Sequence, residues 1–133
     1  MKAAWRGLVC AMFIGAGASS AMACGHCIED KVAAVYDHAV ITRAMAREHQ
    51  VVFFSIEGNI PTGAGTRRSL EAMVESVAGV DKGSARVSVE SASLCAALDV
   101  ARVPLAVMER ALSRKMAALG LSVAMVKVMD KRL

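Results

Sequence analysis

The feature that most constrains the fold of this chain is the order of strand and helix patterns after residue 49. Residues 50–56 form a compact run of β-branched and aromatic residues, which is typical of a strand. A glycine-rich loop follows at 57–65. The next helix pattern is predicted to begin at Thr66, a suitable N-cap, and to end at Gly79. This first half therefore predicts a strand followed by a helix.

The rest of this region predicts two more strands, a helix and a last strand. Residues 85–90 alternate between apolar and polar side chains, as a strand with one buried face does. Residues 94–100 are predicted to be its hairpin partner. Pro104 suits the first position of a helix and Gly120 suits its end. The apolar run at 121–129 predicts the last strand.

The predicted order between residues 50 and 130 is therefore β-α-β-β-α-β. This is the split βαβ arrangement of ferredoxin-like folds, in which an antiparallel sheet carries both helices on one face. A single helix over 28–48 is predicted to precede it, because apolar residues recur there at helical spacing and charged residues cover the other side. We therefore expect an α+β protein, a ferredoxin-like βαββαβ sandwich preceded by one N-terminal helix.

The first 23 residues have the three parts of an export signal. Lys2 and Arg6 supply positive charge, residues 7–17 supply an apolar segment too short to span a bilayer, and residues 21–23 form a small-x-small cleavage site. We predict that residues 1–23 are a signal peptide and that the protein reaches the bacterial periplasm or is secreted. Since Cys24 directly follows the cleavage point, a lipoprotein anchored through Cys24 is an alternative.

Composition limits the classes of partner. Without Lys2 and Arg6 the formal net charge falls from +4 to +2. The chain has no basic tract and few aromatic residues, which argues against nucleic-acid binding, and no later segment is apolar and long enough to be a transmembrane segment. No catalytic motif stands out apart from two thiols, so a binding protein is favoured over an enzyme.

The exported chain is predicted to consist of two parts: the motif and the first helix, 24–49, and a ferredoxin-like domain, 50–130.

Three short segments carry a family resemblance. The first strand runs into Glu57-Gly58, and the helix that follows ends at Ala78-Gly79-Val80. Residues 99–105 form an Asp-x-x-Pro-like approach to the second helix. In these segments the chain resembles a heavy-metal-associated domain, the small copper-chaperone fold, over residues 51–128. The resemblance implies a ferredoxin-like scaffold that handles soft metals.

The chain departs from this family in the loop after the first strand. The family carries Gly-Met-Thr-Cys-x-x-Cys there, and the places of its two cysteines fall near Gly63 and Thr66. Neither residue has a thiol. No metal ligand is therefore carried over from the family, and any metal site must be formed by other residues.

The motif Cys24-Gly25-His26-Cys27 supplies such residues at the predicted start of the exported chain. Two thiolates at positions i and i+3 meet within one helical turn and form the minimum clamp for Cu(I) or a similar soft metal. We interpret Cys24 and Cys27 as thiolate ligands, His26 as an accessory ligand, and copper as the candidate ion. A free amino terminus at Cys24 would also give His26 and the neighbouring backbone nitrogens a geometry that suits Cu(II) or Ni(II). The partner expected besides the metal is another periplasmic metal-handling or thiol protein.

Two other interpretations of this motif stay open. Cys-Gly-His-Cys is also the motif of protein disulfide isomerase domains, so a thiol–disulfide redox protein is an alternative, although only the signal precedes the motif here. In the other interpretation, the two cysteines form a structural disulfide in a non-catalytic interaction module. Outside the motif, Cys95 is predicted to be a small buried side chain. His38 and His49 are predicted to be solvated surface residues.

The export signal predicts a defined mature protein. After expression in a host that exports the protein, intact mass spectrometry is expected to find residues 24–133 with an unmodified amino terminus, because cleavage after Ala23 matches signal peptidase preference. A mass that includes acyl chains would establish the lipoprotein alternative, and a mass that retains residues 1–23 would contradict cleavage.

Overall fold

The structure is a computed structural model that describes residues 27–131. These residues form four helices and four strands in the order α-α-β-α-β-β-α-β. The helices and strands are α1 (Ile28–Val35), α2 (His38–Ala46), β1 (Gln50–Glu57), α3 (Thr66–Glu75), β2 (Arg86–Ser88), β3 (Ser93–Leu98), α4 (Leu105–Ala117) and β4 (Ser122–Met129).

The four strands form one antiparallel sheet in the order β2-β3-β1-β4. With α3 between β1 and β2, and α4 between β3 and β4, this is the ferredoxin-like topology, so the predicted α+β fold class is confirmed. Within residues 27–131, no helix combines the length and the apolar character that crossing a bilayer requires.

The central strand β1 is buried on both of its faces. Val52, Phe54 and Ile56 point into the core that α3 and α4 cover. Val51 and Phe53 point to the opposite face, where they pack with residues of α1 and α2. A strand that lies between two helical layers has no solvent-facing side, which explains why residues 51–54 form a continuous apolar run rather than an alternating one.

The larger core lies beneath α3 and α4. Leu70 and Val74 are four residues apart on α3 and turn to the same side. Met108, Leu112 and Met116 repeat this spacing on α4, and all three are fully buried. The helical spacing that the sequence showed is therefore the spacing of the residues that contact the sheet.

The N-terminal segment forms two helices, so the prediction of a single helix over 28–48 was wrong. Tyr36 has an extended backbone, and Asp37 caps α2 because its side chain accepts hydrogen bonds from the amides of Ala39 and Val40. The apolar spacing continues across this break, which hides it from periodicity. Both helices lie on the sheet face opposite to α3 and α4.

Several predicted boundaries shift. The helix predicted to end at Gly79 ends at Glu75, and the strand predicted over 85–90 spans Arg86–Ser88. Gly65 is the N-cap of α3, and Thr66 is its first helical residue. Pro104 is the N-cap of α4 rather than its first helical residue. The hairpin partner begins at Ser93 and ends at Leu98. It ends there because Asp99 starts a turn, in which its carbonyl accepts hydrogen bonds from the amides of Arg102 and Val103.

The two edges of the sheet are closed in different ways. At the β2 edge, Glu71 and Glu75 of α3 accept hydrogen bonds from the amides of Val87 and Ala85, each at 3.2 Å. At the β4 edge, the pairing with β1 shifts between Phe53 and Phe54, which leaves an extra residue in β4. A bulge of this kind interrupts an edge strand and makes it a poor template for another strand.

Gly79 allows the turn after α3 to approach the loop before α4. Its φ is +88°, and a Cβ there would lie 2.7 Å from Cβ of Val103 and 3.0 Å from Cδ1 of Leu98. Its carbonyl accepts the amide of Asp99 at 2.9 Å. Both the backbone conformation and the close contact therefore require glycine.

Gly79→Ala is expected to lower the free energy of unfolding by about 2–4 kcal/mol, since left-handed strain adds to overpacking. Gly83→Ala is the matched control, because Gly83 also has a positive φ of +76° but no atom within 4 Å of a Cβ placed there. The control should lose only about 1–2 kcal/mol, the cost of strain alone. Urea unfolding measures both, and equal losses would contradict the packing argument.

Candidate functional site

Cys27 is the motif residue that the structure places. It stands directly before α1 with φ −55° and ψ 146°, and its carbonyl accepts the amide of Lys31 at 3.2 Å. Its side chain is partly exposed. Cys24 and His26 lie outside the described residues, so the structure does not show how the three predicted ligands are arranged. It does show the contacts that hold α1, the helix that follows Cys27, on the sheet.

Lys31 attaches the first turns of α1 to the turn between β2 and β3. Its ammonium group donates to the carbonyls of Ser91 at 2.9 Å and Ala92 at 3.1 Å, in the turn that joins β2 to β3. Ala92 has a positive φ of 49°, so this turn is tightly folded and its carbonyls converge. Because Lys31 is four residues after Cys27, this contact fixes the helical turn that Cys27 begins.

Asp37 holds the junction between α1 and α2 on the sheet. Its carboxylate caps α2 and accepts a hydrogen bond from Nε of Arg86 on β2 at 2.9 Å. The hydrogen bond from the amide of Val40 and the neighbouring guanidinium of Arg86 hold the pKa of Asp37 below its usual value of 3.8. The charged form of this carboxylate is thus the form that the folded protein stabilises.

Cys95 lies beneath the same junction and is 1% exposed, as expected for a small buried side chain. Its thiol donates to the carbonyl of Val35 at 3.1 Å, which satisfies an acceptor that the end of α1 leaves without a helical partner. Burial raises the pKa of Cys95 to about 12, so the thiol stays protonated and unreactive. Val35 is eight residues from Cys27, about 12 Å along a helix, so Cys95 is too remote to act as a third sulfur ligand.

An apolar groove of about 430 Å³ runs beside α1 from the residue that follows Cys27. Ile28, Val32 and Tyr36 form its helical wall, and Lys127 and Met129 of β4 form the other side. Periodicity could not reveal this groove, because it arises where the two short helices fail to cover the last strand of the sheet.

His49 differs from the prediction of a solvated histidine. Only 14% of its side chain is exposed, and it lies between two carboxylates, with Nδ1 at 2.7 Å from Asp81 and Nε2 at 3.6 Å from Asp99. These contacts connect the start of β1 to two turns, which is a structural role. No sequence pattern indicates this environment, since Asp81 is 32 residues away from His49. His38 is exposed as predicted, with Thr42 as a neighbour at 3.5 Å.

The loop between β1 and α3 contains no thiol, and neither Gly63 nor Thr66 is buried. The amide of Thr66 donates to the carbonyl of Gly63 at 3.2 Å, so the two positions form a turn. Between residues 27 and 131, no group of three or more histidine, cysteine, aspartate or glutamate residues is arranged to hold a metal ion.

Comparison with known proteins gives structural neighbours. No protein-family model matches the chain, and a search of curated proteins finds no significant match. Oxidized MerP from Ralstonia metallidurans CH34 is 20% identical with a TM-score of 0.47, and the match covers 59% of this chain and 99% of that chain. A copper binding domain from HMA7, a P-type ATPase, is 19% identical with a TM-score of 0.47 and coverages of 59% and 96%.

A third solved structure is the N-terminal domain of the zinc(II) ATPase ziaa in its apo form. It is 24% identical with a TM-score of 0.44, and the match covers 56% of this chain and 63% of that chain. The ferredoxin-like architecture of the present chain rests on its own strand order and register.

Asp37→Asn is expected to lower the free energy of unfolding at pH 7 by about 0.5–1 kcal/mol, as for a partly exposed ion pair. Asparagine still caps a helix, so the variant isolates the charge. Because the folded pKa of Asp37 is lowered, its contribution is present above the unfolded pKa and is lost as the pH falls through the folded pKa. The stabilities of the two proteins should therefore converge in strong acid.

Urea unfolding at pH 7 and at about pH 2.5 measures this convergence. Asp30→Asn is the control, since Asp30 is an exposed aspartate in the first turn of α1 without an ion-pair partner among residues 27–131. A constant difference between wild type and Asp37→Asn at both pH values would contradict the assigned role of the charge.

Proposed function

We propose that this protein is exported and binds or hands on copper or another soft metal through its N-terminal Cys-Gly-His-Cys motif. Cys24 and Cys27 supply thiolates, and His26 supplies an accessory imidazole. Soft thiolate ligands select Cu(I), and two of them suffice for a linear site. The metal is cargo in this proposal, and the ferredoxin-like domain is the body that carries the motif.

The observation that carries the proposal is the fixed position of Cys27 at the start of α1. Hydrogen bonds from Lys31 to the β2–β3 turn and the ion pair between Asp37 and Arg86 hold both ends of the short helix on the sheet. A ligand at the start of an anchored helix has a defined position. A soft ion at such a position is accessible to a partner protein.

The remoteness of Cys95 supports the same assignment of roles. With its thiol buried and protonated beneath Val35, Cys95 is unable to compete for a metal that the motif binds. Of the three cysteines that follow the predicted cleavage site, this leaves the closely spaced pair for chemistry. Transfer to a second periplasmic metal-handling or thiol protein would then proceed by exchange of thiolate ligands at the N-terminus.

Titration of the reduced protein with Cu(I), in competition with a chromogenic chelator, tests the proposal. The double variant Cys24→Ser, Cys27→Ser is expected to lose about a hundredfold or more in affinity, because hydroxyls are poor ligands for a soft ion. His26→Ala should lose about tenfold, as an accessory ligand does.

Cys95→Ala is the control for general effects of cysteine removal and should leave the affinity unchanged. Unchanged Cu(I) affinity in the double variant would refute the proposed ligands. Reduction of insulin disulfides by the metal-free protein, abolished in Cys24→Ala, would instead establish the thiol–disulfide redox function.

A further inference from the structure

The helical layer formed by α1 and α2 leaves one strip of the sheet uncovered. The groove beside α1 continues along β4 as a second depression of about 430 Å³ beside α2, which Ile41 and Met45 line. Lys127 and Met129 belong to both depressions, so together they form one trough along the strand. We call this surface the β4 trough.

The β4 trough is bordered by exposed apolar side chains. Ile28 is 54% exposed, and Tyr36, about two helical turns later, is 50% exposed. Both residues belong to the helical wall of the trough. The other large, apolar and exposed side chains among the described residues, which line neither depression, are Val107, Leu119 and Met125. Exposed apolar side chains concentrated around a groove are typical of an interaction surface.

The edge of the sheet is a poorer candidate than its face. Glu71 and Glu75 occupy the amides of the β2 edge, and the bulge interrupts the β4 edge. A lysine, Lys127, also lies at this bulge, and a lysine in an edge strand discourages pairing with another strand. A partner is therefore expected to pack on the trough rather than to extend the sheet.

The charges in the β4 trough favour a second copy of the chain as this partner. Glu29 of α1 and Lys127 of β4 both line it, and neither has an ion-pair partner within 4 Å among residues 27–131. Under a two-fold axis, residue i of one copy contacts residue j of the other, and j contacts i. Asp130 also lines the trough, where it accepts a hydrogen bond from Nε2 of Gln50 at 2.9 Å. A surface with charges of both signs can match itself, whereas a surface of a single sign would repel its copy.

We propose that two copies of this protein associate through their β4 troughs around a two-fold axis. Ile28 and Tyr36 of each copy pack into the trough of the other, and Glu29 of each copy pairs with Lys127 of its mate. Because Ile28 directly follows Cys27, the contact lies at the margin of the Cys-Gly-His-Cys motif. The proposal does not depend on metal binding, and the association is expected in the metal-free, reduced protein.

Sedimentation velocity of the reduced, metal-free protein from about 5 to 500 μM tests the association, with intact mass defining the N-terminus of the sample. The expected result is a concentration-dependent shift from monomer to dimer. Tyr36→Glu should weaken the dimer about tenfold or more, since it places a charge in an apolar contact. Val107→Glu is the matched control, because Val107 is 43% exposed on the opposite helical layer, and its dimer should be unchanged.

A charge exchange tests the two-fold arrangement itself. Glu29→Lys and Lys127→Glu should each weaken the dimer about tenfold, since each places like charges opposite one another. The double variant with both substitutions should restore the wild-type association, because every pair again has opposite signs. A protein that stays monomeric at 500 μM, equal weakening by Val107→Glu, or failure of the double variant to restore the dimer would each overturn the proposal.

Discussion

The burial of β1 on both faces is the constraint on which the rest of the structure depends. A central strand with apolar side chains in both directions requires a helical layer on each side of the sheet. The α3–α4 layer is part of the ferredoxin-like fold, so the second layer must come from elsewhere in the chain. The short helices α1 and α2 provide it, and Cys27 stands partly exposed directly before α1.

The second layer is held by specific polar contacts as well as by apolar packing. Lys31 on two turn carbonyls, Arg86 on Asp37, and the thiol of Cys95 on the carbonyl of Val35 each join α1 or the following junction to β2 and β3. All of these contacts lie on the side of the sheet away from β4. The layer is therefore fixed over one half of the sheet, and the strip along β4 is left to form a groove.

Helical and strand spacing were sufficient to predict the order of elements from residue 50 onwards, because each element has one dominant buried pattern. The break between α1 and α2 was missed since Val32, Tyr36 and Val40, each four residues apart, keep a helical spacing across it, although Asp37 carried the signal of an N-cap. The environment of His49 could not be predicted, because its partners Asp81 and Asp99 are close only after the sheet has formed.

The candidate site divides in a similar way. The sequence predicted metal or thiol chemistry for Cys27 and its neighbours in the motif, which stays a prediction. It also predicted that Cys95 is buried, which is confirmed. It could not identify the groove beside Cys27, because the groove depends on how far α1 and α2 reach across the sheet rather than on any residue pattern. Lys31 and Arg86, which fix the helix behind the motif, likewise act on residues distant in sequence.

The hydrogen bond between Cys95 and Val35 has a consequence for oxidative folding. If residues 1–23 are removed on export, as proposed, three of the four cysteines remain and three disulfides are possible, two of which would join the motif to the middle of β3. Once α1 has closed over the sheet, the third sulfur is shielded from oxidants and from its neighbours. In such an exported chain, closure of α1 over the sheet before oxidation would keep Cys95 out of disulfides with the motif.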